Sequence, residues 1–212
     1  MIRPLAAVTA LLALPATADA RKIDLGSSLK AGATRSERHP VDTAFWPQRI
    51  RGGRRFRAPA DGQVLAVRVK GGVRRARGGP DPFRQVHFQS LRPLPDGSVR
   101  VVLTSATFLM PIGGPRDRVT TFRPENLCVP RGGIVGFNDS GGFEPTWYPR
   151  GAAFRVFARV PGSRTARRTA ANATNNGDRL RPVVRRDSEL LMQVVLGTGR
   201  RLGGACRAYL GG

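Results

Sequence analysis

Gln63-Val64-Leu65-Ala66-Val67-Arg68-Val69-Lys70 is the stretch that decides the fold class. Leu65, Val67 and Val69 recur at every second position, with Arg68 and Lys70 between them. That is the period of a strand with one buried face, not the 3.6-residue period of a helix. The alternation continues outward along the chain. Val86 and Phe88 interleave with Gln85, His87 and Gln89, and Val99, Val101 and Leu103 with Arg100, Val102 and Thr104. Phe154 and Val156 interleave with Arg155 and, less cleanly, with Phe157. Residues 190–196 are apolar at almost every position, as expected of a central strand buried on both faces.

The segments between these runs are turn signals: Ala60-Asp61-Gly62, Gly78-Gly79-Pro80, Pro95-Asp96-Gly97, Gly113-Gly114-Pro115, Arg131-Gly132-Gly133 and Gly141-Gly142. Gly and Asp supply the positive φ that tight hairpins need. Residues 166–176 are small and polar and read as an exposed loop, and no window carries a capped amphipathic helix of useful length. Short strands at regular spacing imply an all-β fold, an antiparallel sandwich or barrel, with a single antiparallel β-sandwich domain the reading adopted. Its expected span is residues 54–197, after an extended lead-in at 21–53 and before a C-terminal tail at 198–212.

The composition fits this class. Gly (26) and Pro (17) make up about a fifth of the 212 residues, against an average of about an eighth. A coiled coil, a helical bundle, a multi-span membrane protein and a disulfide-dense toxin scaffold are excluded. The net charge is +22, and of the 36 basic residues only Lys22, Lys30 and Lys70 are lysines. Guanidinium forks match phosphate and carboxylate oxygens. Raised Arg, Ala, Gly and Pro together are also the mark of GC-rich codons, so part of the charge reads as genome composition. The N-terminus has Arg3, an apolar run over 5–16 and a small-x-small site at Ala18-Asp19-Ala20. That is the form of a signal peptide over residues 1–20, with Arg21 the first mature residue and no transmembrane anchor after cleavage. A secreted, extracellular or cell-envelope location follows, and in an oxidising compartment Cys128 and Cys206 can close one disulfide. With two cysteines and two histidines, none at ligand spacing, neither a metal nor another cofactor is expected.

Three segments carry a resemblance. They are Phe56-Arg57-Ala58-Pro59-Ala60-Asp61-Gly62-Gln63-Val64, the strand end Leu91-Arg92-Pro93, and the run from Thr121-Phe122-Arg123-Pro124 through Ile134-Val135-Gly136-Phe137. Together they are similar to uncharacterised secreted β-sandwich proteins of GC-rich actinobacteria. The resemblance implies a jelly-roll-like fold and brings no catalytic residues with it.

Two constellations could carry chemistry. Asn138-Asp139-Ser140-Gly141-Gly142 resembles the Gly-Asp-Ser-Gly-Gly nucleophile loop of chymotrypsin-like serine proteases, which would make Ser140 a nucleophile and His87 its base. Asn138 replaces a glycine there, and neither His39 nor His87 stands in the Ala-His-Cys context of that family's base. The plainer reading is a hairpin loop at 138–142. The other constellation is basic: Arg49, Arg51, Arg54, Arg55 and Arg57, then Arg74, Arg75 and Arg77. Few aromatics and export together argue against nucleic acid. The expected partner is an anionic glycan or wall polymer, bound by a non-enzymatic module. Trp46, Trp147 and Tyr148 are the aromatics that sugar stacking could use, with core burial the default for tryptophan.

Overall fold

A computed structural model describes residues 21–74, 84–142, 152–170 and 174–211. The strands among these residues are, in order, β1 (Arg21–Gly26), β2 (Arg35–His39), β3 (Thr43–Arg49), β4 (Gly62–Lys70), β5 (Gly72–Val73), β6 (Arg84–Pro93), β7 (Val99–Thr104) and β8 (Phe108–Met110). They continue as β9 (Val119–Phe122), β10 (Cys128–Val129), β11 (Ile134–Gly142), β12 (Ala152–Thr169), β13 (Arg179–Leu180), β14 (Val183–Leu190) and β15 (Met192–Thr198). One helix, α1 (Gly204–Leu210), follows a 3-10 turn at Gly199–Arg201. No helix among the described residues is long and apolar enough to cross a membrane. The expected signal peptide at 1–20, with Arg75, Arg77, Trp147 and Tyr148, lies outside the described residues.

The strands form two antiparallel sheets. One runs β1-β15-β4-β10 with β9 also on β4; the other runs β13-β7-β6-β11-β3-β12-β14, with β2 and β5 on β12 and β8 on β6. Val64, Val67, Val69, Val194 and Leu196 of the first sheet share one core with Phe45, Phe88, Phe137, Phe154 and Phe157 of the second. The all-β antiparallel sandwich is therefore what the chain adopts. The second sheet also curls, so that Trp46, Leu91, Val99, Val101, Ile134, Ala166 and Leu180 from six of its strands enclose an apolar cluster of their own.

Several local expectations are corrected, two of them by ladder irregularities. Leu65 does not share a face with Val67 and Val69. The register with β15 shifts at this point, Val195 facing Ala66 and Leu196 facing Val64, so Leu65 is an extra residue and Val64 takes the core position. A similar shift between β12 and β2 brings Phe157 into the core beside Phe154 and Val156. Residues 190–196 are not one strand: the chain passes from the second sheet to the first at Leu191, and only the later part is the central strand β15. The lead-in at 21–53 is part of the sandwich, since β1 flanks β15 and β3 lies between β11 and β12. Residues 138–142 belong to strand β11 rather than to a hairpin loop, and 166–169 finish β12, with Ala166 fully buried.

Cys128 on β10 and Cys206 on α1 are bonded, with Cα atoms 5.2 Å apart across 78 residues of sequence. A seven-residue helix without a side-chain cap is not stable alone, and Cys206 is its one buried residue. The disulfide and the Gly203 N–H donated to Gln63 Oε1 at 2.6 Å hold the C-terminus to the first sheet. Replacing both cysteines by serine is expected to lower the unfolding free energy by roughly 4–5 kcal/mol on the chain-entropy account of a loop this long. Urea denaturation measures the loss, and amide exchange should show α1 released while the sheets stay protected.

Candidate functional site

The five arginines between positions 49 and 57 cluster because β3 ends at Arg49 and the chain then turns through a 3-10 turn at Arg51–Gly53. All five are exposed. At this end of the second sheet the termini of β3, β6, β7 and β11 come together and frame a cleft of about 280 Å³. Trp46, Phe56, Val99 and Ile134 supply its apolar wall, and Gln48, Ser98, Arg49, Arg57 and Arg164 its polar groups. Arg164 comes from the far half of β12, where its register partner is Arg49. A second cleft, about 270 Å³, adjoins it and is lined by Arg49, Arg51, Arg54 and Phe56. Arg57 lies over the Phe56 ring at 5.8 Å, and Arg54 Nε donates to the Gly26 carbonyl at 3.1 Å. Trp46 is 1% exposed, so it is part of the floor and offers no face for stacking.

Among the described residues no carboxylate pairs with any of these arginines. Glu37 receives Arg167 and Arg185, and Asp96 receives Arg179. Asp96 orders the turn beside the cleft: its Oδ1 accepts from the Ser98 hydroxyl at 2.6 Å. The Ser98 hydroxyl, reinforced by Arg179, holds the Asp96 carboxyl down at about 2.

Arg74 stands at a third cleft, about 250 Å³, with Arg116, Arg155 and the backbone of Gly113 and Gly114. Nothing in the local sequence links Arg116, Arg155 or Arg164 to the arginines they join. The pairing of β12 with β3 and β5 places Arg164 and Arg155, and the Val73–Ile112 bridge places Arg116.

Ser140 and His87 come onto neighbouring strands. Asn138 faces His87, Asp139 faces Val86 and Gly141 faces Gln85, which leaves Ser140 as the unpaired residue of a bulge. Ser140 Oγ and His87 Nδ1 are both buried atoms with no hydrogen-bond partner among the described residues, so no bond joins nucleophile to base. His87 is half-buried rather than open to solvent. Asp139 is occupied elsewhere. Its carboxylate takes Arg84 Nε at 2.7 Å and Nη2 at 2.9 Å, and His39 Nε2 lies 3.1 Å from Oδ2. His39 is sandwiched between Phe45 and Phe154, with ring centroids at 4.7 and 4.9 Å. Sequence reading missed this buried cluster, because Arg84 lies 55 positions from Asp139 and carries no motif.

No family model, curated protein or solved structure matches the chain.

Asp42, whose N–H donates to the Asp139 carbonyl at 2.7 Å, has a left-handed φ of 57°. Burial and then the Asp139 charge push its carboxyl above the ordinary carboxylate range, with His87 and Arg84 pulling the other way. A carboxyl raised on folding costs stability while it is ionised, and that cost fades as pH falls and the group is protonated in both states. Asn tolerates the same backbone conformation. Asp42→Asn is therefore expected to stabilise the fold at neutral pH, with the gain shrinking as pH drops through the carboxylate range. Urea unfolding at a series of pH values reads this directly.

Proposed function

We propose that the chain is a secreted, non-enzymatic extracellular or cell-envelope module that binds an anionic glycan or wall polymer at the Arg49–Arg57–Arg164 clefts. The observation that carries this reading is a set of guanidinium groups with no carboxylate partner among the described residues, drawn from two distant segments and set around an apolar wall. Such a surface suits an acidic sugar unit. The arginines pair its carboxylate or ester oxygens in bidentate fashion, and the half-buried Phe56 takes its less polar face. The half-buried Gln48 adds a neutral donor and acceptor for hydroxyl groups. Export is supported by the N-terminal apolar run and by the Cys128–Cys206 pair.

A net charge of +22 makes any anionic matrix attractive, so the test has to separate site from field. Retention on a polyuronate column should fall with salt for the wild type. Replacing Arg49, Arg57 and Arg164 with alanine should weaken polyuronate binding at least tenfold, since hydrogen bonds to charged groups are worth about 1.5–3 kcal/mol each. Replacing the exposed Arg123, Arg159 and Arg200 removes the same charge and should change binding less than about twofold if a contact site rather than the distant field dominates. Equal losses in the two triple variants would defeat the proposal. The non-enzymatic part predicts no labelling by a fluorophosphonate probe, whereas labelling abolished by Ser140→Ala would favour a serine hydrolase instead.

A further inference from the structure

The third cleft differs in kind from the other two. Its wall is glycine, proline, one valine and three arginines, without the aromatic surface of the larger cleft. Three separate segments build it, and each is fixed through its backbone. Gly71 donates to the Arg118 carbonyl at 2.8 Å and Arg74 to the Ala153 carbonyl at 2.8 Å, while Gly113 donates to the Val73 carbonyl at 2.9 Å. A parallel bridge joins Val73 to Ile112, and β5 pairs with Phe154 and Arg155 of β12. Gly71 makes the approach possible: its φ is 111°, and a Cβ there would stand 1.8 Å from the Arg155 carbonyl oxygen. The bases of Arg74, Arg116 and Arg155 are thus held at one place before any ligand arrives, which lowers the ordering cost of binding.

The local charge is uncompensated. Among the described residues Arg74, Arg116 and Arg155 have no carboxylate partner. Asp117, between Arg116 and Arg118, is turned toward other groups: its Oδ1 accepts the Ala33 N–H at 2.8 Å and lies 3.7 Å from Lys70 Nζ. The Arg118 guanidinium packs over Gly114, within 2.9 Å of where a Cβ would sit. A single carboxylate, with two oxygens and one charge, would leave part of this donor set unused. A tetrahedral dianion presents three or more oxygens and nearly two charges, and guanidinium forks pair such oxygens two at a time.

We propose that this cleft is a separate site for a phosphate group, free or as a terminal monoester, held by Arg74, Arg116 and Arg155. It does not depend on the glycan reading of the larger cleft. Isothermal titration of the full chain with inorganic phosphate should show one saturable site. Arg116→Gln, at an exposed position outside the core, should weaken it at least tenfold, as should Arg74→Gln. The Arg49, Arg57 and Arg164 triple variant should bind phosphate as the wild type does. Titration with glucose 6-phosphate separates the sources: tighter binding than inorganic phosphate assigns an ester-borne group, and no binding assigns the free ion. Phosphate binding that is absent, or lost equally in the triple variant, or unchanged in both glutamine variants, would overturn the proposal. Polyuronate retention, measured in parallel, fails or succeeds on its own.

Discussion

The backbone pairing of β12 is the constraint on which the rest of the second sheet depends. This one 18-residue strand forms ladders with β2, β3, β5 and β14. A strand of that length cannot stay flat and straight with so many partners, and its register against β14 breaks between Arg159 and Arg164. The interrupted residues include Pro161 and Gly162, the latter with a φ of 85°, which fit a bend rather than a regular ladder. Ser163 and Thr165 satisfy buried polar groups at the bend: Ser163 Oγ donates to Glu189 at 2.9 Å, and Thr165 Oγ1 donates to the Ser188 carbonyl at 2.8 Å. One consequence is functional. The two halves of β12 end up beside different partners, which delivers Arg155 to one cleft and Arg164 to another.

That placement changes how the net charge is understood. A GC-rich codon bias would account for arginine in place of lysine, but it would say nothing about where carboxylates stand. The structure sorts the arginines physically. Arg84, Arg167, Arg179 and Arg185 each face Asp139, Glu37 or Asp96 and fasten strands or turns. Those lining the clefts have no carboxylate partner among the described residues. Like charges gathered without counter-charges cost stability through mutual repulsion. A bound anion would relieve that repulsion, which is the sense in which the clefts are poised for one.

How much of this was legible in the sequence follows from the range of each interaction. The strand period around Val67 and the turns at Pro95-Asp96-Gly97 and Arg131-Gly132-Gly133 are local, and they read correctly. The bulges at Leu65 and before Phe157 are not local. An extra residue is accommodated only because the partner strand fixes the register on either side, and no propensity marks it. The same holds at Leu191, where an unbroken apolar run hides a passage between sheets. At the site, Arg49 to Arg57 announced themselves as a cluster, while Arg116, Arg155 and Arg164 join only through ladders.

Asp139 shows why the protease-like segment around Ser140 lacks the arrangement its letters suggest. An orienting carboxylate in a catalytic triad must offer its lone pairs to the imidazole that serves the nucleophile. Here both carboxylate oxygens are taken by the Arg84 fork, and the histidine beside Oδ2 is His39, fully buried between two phenylalanines. Charges removed from water in this way hold only when each finds its partner. The cluster draws together the end of β2, the start of β6 and the later half of β11, so its geometry is set by the packing of three strands. A carboxylate committed to that role is not free to turn toward His87. The acidic residue that makes the segment look catalytic is the one that the fold uses to close its core.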